Sequence, residues 1–261
     1  MAVNVSFNSF SLQDNNYITS TVKYRSSPSR DIVTEKIARK PGVKLLATEF
    51  GPREISIDGY IIGSDSSNLV TLIDNLNSNV TRDTLGTLIV ESGKEIQALV
   101  SNLDIPDPHY TQSMVPFAIK FLAPDPFFYG NQQTVSLTVT SGSTQPRTQS
   151  VSLTISGTVF AEPTISYTAP GSSGYTTTSG IIIEYESTGE TTTWSGGDIG
   201  LAYGQFVTFD YGNSILLEGS TELEAAGVFP RWEPGATAFT VTYSGGVQGG
   251  TLAFVYRPRY L

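Results

Sequence analysis

The sequence predicts a mainly β protein: a first β-sandwich domain with one helix and a long hairpin arm, then a second β-sandwich of jelly-roll type. Three observations predict this. Apolar and polar residues alternate in many short runs; a single stretch has helical spacing; and Gly, Pro and Ser turns punctuate the second half. A composition shift divides the chain. Of the 15 Lys and Arg, 11 lie in the first 130 residues and the last Lys is Lys120, whereas 18 of the 25 Gly follow Gly130. The first half sets 11 basic against 14 acidic residues, a net −3, and the second sets 4 against 10, a net −6. The expected domains are 1–130 and 131–261, joined after the aromatic stretch Phe121 to Gly130, where Pro124 and Pro126 prevent a helix. The Ser/Thr-rich run Thr140 to Ser150 is the alternative boundary.

In the first half, Leu69, Leu72, Ile73, Leu76 and Val80 share one face of a helix, with Ser66 or Ser67 as its cap. Ile55, Ile57 and Ile61 share one face of a strand, with Ser56 and Asp58 opposite. Val115, Phe117, Ile119 and Phe121 form a second such set, and Ile96, Ala98 and Val100 a third. Thr87 to Val90 and Ile96 to Val100 flank a hairpin turn at Ser92-Gly93-Lys94.

The stretch from about Thr21 to Arg53 stands apart. Lys23, Arg25, Arg30, Lys36, Arg39, Lys40, Lys44 and Arg53 make it the one basic region, interrupted by Asp31, Glu35 and Glu49. Three readings fit: a nucleic-acid arm, a solvated hairpin, or an arm that crosses onto a neighbouring subunit. Few aromatics accompany the charges, which weakens the first, because stacking platforms normally supplement phosphate contacts. Ile32, Val33, Ile37, Val43, Leu45 and Leu46 are more apolar surface than a free arm should carry, which favours the third.

The second half predicts strands at Val135 to Val139, Val151 to Ile155, Ile181 to Tyr185, Phe206 to Phe209, Phe239 to Tyr243 and Leu252 to Tyr256. Its glycines, among them Gly196, Gly197, Gly245, Gly246, Gly249 and Gly250, read as turn residues; no Gly-Lys-Ser/Thr follows to make a phosphate loop.

Catalytic chemistry has little to work with. The chain has no Cys and one His, His109, in the loop Asp104 to Tyr110. That removes disulfides, thiolates and the usual zinc sites, and leaves His109 as a surface residue or a lone base. Glu184 and Glu186 would share one face of a strand, the remaining route to paired-carboxylate chemistry. Trp194, Tyr203, Tyr211 and Trp232 are core residues or, in the alternative, platforms for sugar rings. The net charge of −9 and pI of 4.6 oppose nucleic-acid binding, and no apolar run is long enough to cross a membrane as a helix. The start, Met1 to Phe7, lacks the basic and apolar regions of a signal peptide. No cofactor is expected.

The order of several motifs resembles the phage distal tail protein family. These are Arg53 to Gly63, the helix Leu69 to Asn77, Gly86 to Val90, and the Asp-Pro-Phe-Phe-Tyr core of Phe121 to Gly130. Ile155 to Ile165, Gly204 to Asp210 and Phe229 to Gly235 are similar to that family's second domain. The resemblance implies a tail-tube-like first domain and a galectin-like second one, in a non-enzymatic structural protein of the virion tail, assembled in the host cytoplasm. It further implies a homo-hexameric ring, whose partners are a tail-tube protein, a tail-tip or baseplate hub protein and a receptor-binding protein, with DNA passing through the lumen. The arm would be the inter-subunit belt. The alternative function is a carbohydrate-binding module at the host surface, with Trp194, Tyr203 and Trp232 as contacts.

Overall fold

A computed structural model describes residues 5–37, 40–107, 113–139, 147–170, 178–195, 201, 204–223, 226–245 and 249–261. The chain divides into two compact units, Met1–Tyr129 with Leu261, and Gly130–Tyr260.

The first unit holds β1 (Ser6–Phe7), β2 (Phe10–Ser11), β3 (Tyr17–Lys23), β4 (Arg30–Lys36), β5 (Val43–Phe50), β6 (Arg53–Ile62), α1 (Ser66–Val80), β7 (Gly86–Glu91), β8 (Lys94–Asp104), β9 (Met114–Ala123) and β10 (Phe128–Tyr129). Its main sheet runs β2-β1-β7-β8-β9-β6-β3, with β10 also on β8. β8 pairs with β7 through Lys94 to Ala98 and with β9 from Leu99 onward. A bulge between Val100 and Asn102 marks this second stretch; such an insertion bends a strand and raises its twist, which helps the sheet fold over itself. The Phe7 and Phe121 rings, 5.1 Å apart, meet between the two halves. Ile55, Ile57 and Ile61 of β6 and Val115, Phe117, Ile119 and Phe121 of β9 all point inward, as their alternation requires. Gly59 admits no side chain: a Cβ there would meet the Ile18 carbonyl at 2.4 Å and the Phe117 ring at 2.6 Å.

Helix α1 buries Leu69, Leu72, Leu76 and Val80, while Ile73 is half-buried at the margin of that face. The helix runs past Asn77 to Val80, and its cap is Asp65 rather than Ser66 or Ser67. The Asp65 carboxylate accepts the N–H of Asn68 at 2.8 Å, and its extended backbone ends the preceding loop. The Tyr17 hydroxyl, donating to the Leu72 carbonyl at 2.9 Å, ties the helix to β3.

The second unit holds β11 (Gln133–Thr138), β12 (Arg147–Ile155), β13 (Thr164–Thr168), β14 (Thr178–Tyr185), β15 (Glu190–Ser195), β16 (Phe206–Asp210), β17 (Ile215–Glu218), β18 (Thr221–Leu223), β19 (Ala226–Gly227), β20 (Gly235–Gly245), β21 (Thr251–Tyr256) and β22 (Arg259–Tyr260). One sheet runs β11-β21-β13-β16-β17-β18 and the other β12-β20-β14-β15-β19. Their inner faces share one core. Phe239 of β20 and Phe254 of β21, with ring centroids 4.6 Å apart, join the two layers, and Trp232 stacks on Phe239 at 5.1 Å. All six predicted strands form. The polar spacing of β15, whose inward residues are Thr192 and Trp194, hid it from the apolar pattern.

Candidate functional site

β4 and β5 form a two-stranded sheet whose strands pair only with each other among the described residues. Its register fixes which side chains stand together. Ile32 faces Thr48, Thr34 faces Leu45, and Lys36 faces Val43; on the other face lie Asp31 with Glu49, Val33 with Ala47, and Glu35 with Lys44. The register shifts between Val33 and Thr34, where Leu46 is the extra residue. Without that bulge, Leu45 and Val43 would fall on the face opposite Ile32 and Lys44 would join it. The insertion therefore gathers Ile32, Val43 and Leu45 on one side and most of the charge on the other.

Much of this apolar surface stays open to solvent. Ile32, Val33, Val43, Leu45 and Leu46 are each at least half exposed, and Ile37 is 39 % exposed. A lone hairpin is marginal in water, and contiguous exposed apolar residues mark interaction surfaces. At its root the hairpin is anchored. The Gly51 N–H donates to the Ser29 carbonyl at 2.9 Å, Phe50 meets the Phe127 ring edge-on at 5.4 Å, and the Arg30 guanidinium lies 4.8 Å over Phe50.

The free arm is shorter than the expected span of about 21–53. Thr21, Val22 and Lys23 pair with Asp58, Ile57 and Ser56, and so belong to β3. Arg53 opens β6 and is buried, not solvated. Its Nη1 donates to the Tyr24 carbonyl at 2.8 Å, and its guanidinium lies 5.0 Å from the Phe128 ring centre. The signal was present in the sequence, because Arg53 is in phase with Ile55 and Ile57.

The aromatic candidates for sugar contact lie elsewhere. Trp194 and Trp232 are each 1 % exposed and occupy the core of the second unit, so neither offers a ring face to solvent. Tyr211 is buried edge-on against Phe229 and Trp232, and burial pushes its phenol up to about 12. Tyr203 and His109 lie outside the described residues, as do Gly196, Gly197 and Gly246. Glu184 and Glu186 stand exposed on one face, and the Thr240 hydroxyl donates to Glu186 at 2.8 Å. Among the described residues no group of three His, Asp or Glu is placed to hold a metal ion, and no helix is long and apolar enough to span a membrane.

Residues 6–123 match the family model of the phage tail protein RIFT-related domain. The structure is similar to that of SPP1 Dit (gp 19.1), described as a paradigm of the hub adsorption apparatus in phages infecting Gram-positive hosts. That match has 16 % identity and a TM-score of 0.70, over 100 % of both chains. A weaker likeness, 9 % identical with a TM-score of 0.42, covers 92 % of this chain and 91 % of one in the phage P2 baseplate in its activated conformation with Ca. No curated protein matches the sequence. Residues 6–123 thus match the model of a phage tail protein domain, and the whole chain shares its fold with SPP1 Dit.

Proposed function

We propose that this chain is a non-enzymatic structural subunit of a phage virion, six copies of which close into a ring at the distal end of the tail. In this reading each ring joins the tail tube to the tail tip or baseplate hub, where receptor-binding proteins attach, and DNA passes through its lumen without specific contact. One observation carries the reading: a rooted hairpin whose apolar side chains stay about half exposed and whose strands pair only with each other among the described residues. The phage tail domain over residues 6–123 supports the location. Cyclic closure needs a heterologous contact, in which one patch meets a different patch on the next copy, and an arm that leaves its own body supplies one half. Burying the exposed apolar side chains is worth about 1 kcal/mol or more each at roughly 25 cal/mol per Å².

Sedimentation velocity tests this. The native chain should run at about six times its 28.1 kDa mass. A variant in which Asn-Gly replaces residues 31–49 should be a folded monomer. The two-residue link suits the directly paired Arg30 and Phe50, and keeps the Phe50–Phe127 contact. A native chain that stays monomeric when concentrated, or an armless one that still closes, overturns the proposal.

A further inference from the structure

The outward face of the first unit's sheet carries a second uncovered apolar group, at the end of β6 away from the arm. Ile18 of β3, Tyr60 of β6 and Pro116 of β9 are directly paired in register, and so form a row across three neighbouring strands. Met114 continues the row two residues before Pro116 on the same face. Tyr60 is 41 % and Met114 50 % exposed. Nearer the arm, the same face of β6 carries Ser56 and Glu54, as a solvated face should.

Two carboxylates border this row. Asp58 and Asp104 both pair with Ala118, one from each side, and so project from the same face two strands apart, roughly 10 Å. Neither forms a salt bridge among the described residues. With Ser20, Tyr60, Pro106 and Pro116 they line an open hollow of about 330 Å³. A partner for it should be apolar and basic.

The tip of the arm has that chemistry. From Lys36 to Lys44 the sequence contains Lys36, Arg39, Lys40 and Lys44, no acidic residue, and the apolar Ile37 and Val43. Lys36, Lys40 and Lys44 are exposed. Hollow and arm root lie at opposite ends of β6, since Arg53 and Tyr60 are about 23 Å apart at roughly 3.3 Å per residue. An arm with a basic tip that leaves from one end of the strand, and an acidic hollow at the other end, are what a head-to-tail contact between copies requires.

We propose that the hollow bordered by Asp58 and Asp104, with Tyr60 and Pro116 as its floor, seats the basic tip of the arm of a second copy. This rests on the reading that the arm crosses between copies, and names its receiving surface. The apolar contacts supply burial, and the opposed charges set register and suppress wrong docking.

Carbodiimide treatment of the assembled native protein offers a direct test. Activation of an Asp carboxyl and attack by a Lys amine forms an amide with net loss of water, and only between groups already in contact. Peptide mapping should find Asp58 or Asp104 joined to Lys36, Lys40 or Lys44 of another copy. Tip lysines linked only to other carboxylates overturn the proposal. Charge exchange provides the second arm of the test. Asp58→Lys with Asp104→Lys, and separately Lys36→Glu with Lys40→Glu and Lys44→Glu, should each raise the concentration needed for assembly by about tenfold or more, since like charges brought together cost several kcal/mol. Combining all five substitutions should restore assembly to near the native concentration. If the armless variant is monomeric but the Asp variant assembles like the native chain, the arm crosses and docks elsewhere, so the seat is wrong and the ring stands. A native chain that never assembles removes both.

Discussion

Arg53 shows how a residue's setting can reverse its composition-level meaning. Counted by charge it belongs with the arm; by position it is a core residue on the inward face of β6. Burial lowers its pKa, and among the described residues no carboxylate pairs with it and Nε and Nη2 have no hydrogen-bond partner, so it holds one carbonyl and one aromatic face at the cost of a desolvated charge. Its long side chain also fills space beside Phe128. These two roles separate by substitution. Arg53→Met keeps most of the volume and removes the charge, and should unfold at an equal or higher urea concentration than the native chain. Arg53→Ala leaves a cavity and should cost about 2 kcal/mol. A Met variant as damaged as the Ala variant would mean that the guanidinium, not its bulk, holds the site together.

At the scale of elements, the cap of α1 makes a pH-dependent contribution. The bond from the Asn68 N–H is the main cause that holds the Asp65 carboxyl below its ordinary value of 3.8, with a lesser contribution from the Ser64 hydroxyl, partly offset by desolvation. The folded state thus binds this proton less readily than the unfolded state. The cap's stabilisation is fully present above about pH 3.8 and fades as pH falls through the lower folded-state value. Asp65→Asn keeps an acceptor at the cap but cannot titrate. Urea melts at pH 6 and pH 3 should show a smaller acid-induced loss for this variant than for the native chain; equal losses would assign the acid sensitivity elsewhere.

Such elements were legible in the sequence to the extent that burial imposes a period. Strands β6, β9, β12, β14, β20 and β21 follow from alternation, and α1 from the spacing of its leucines. What alternation does not encode is pairing. The bulges at Leu46 and near Val100 shift phase by one residue, and only the partner strand reveals them. The arm's apolar residues were visible as an excess, but their shared face depends on that bulge. The row of Ile18, Tyr60 and Pro116 was missed for the same reason: each is an isolated apolar residue until register places them side by side. The tryptophans gave the opposite difficulty, since a large aromatic near a loop reads alike whether it fills a core or faces solvent.

For the whole molecule, the placement of cores and of the arm argues that assembly and the second sandwich are separable. The second unit's core, from Val139 to Tyr256, is drawn from residues of that unit alone. Within that unit the Thr158 N–H donates to the Arg259 carbonyl at 2.9 Å, and the Arg259 guanidinium pairs with Glu162 at 2.6 Å. A fragment of residues 130–261 therefore keeps every contact of that core and should fold cooperatively by itself. The arm and the Asp58–Asp104 hollow both belong to the first unit, so the proposed ring contact would have both its halves there. Expressed separately, residues 1–129 should sediment as the ring, whereas residues 130–261 should be a folded monomer with a cooperative urea transition. The aromatic near-UV signal of the second fragment, with Trp194 and Trp232 both in its core, reports whether that core is native. If the folded second fragment forms the ring while the first stays single, the contact that closes the assembly lies outside the arm.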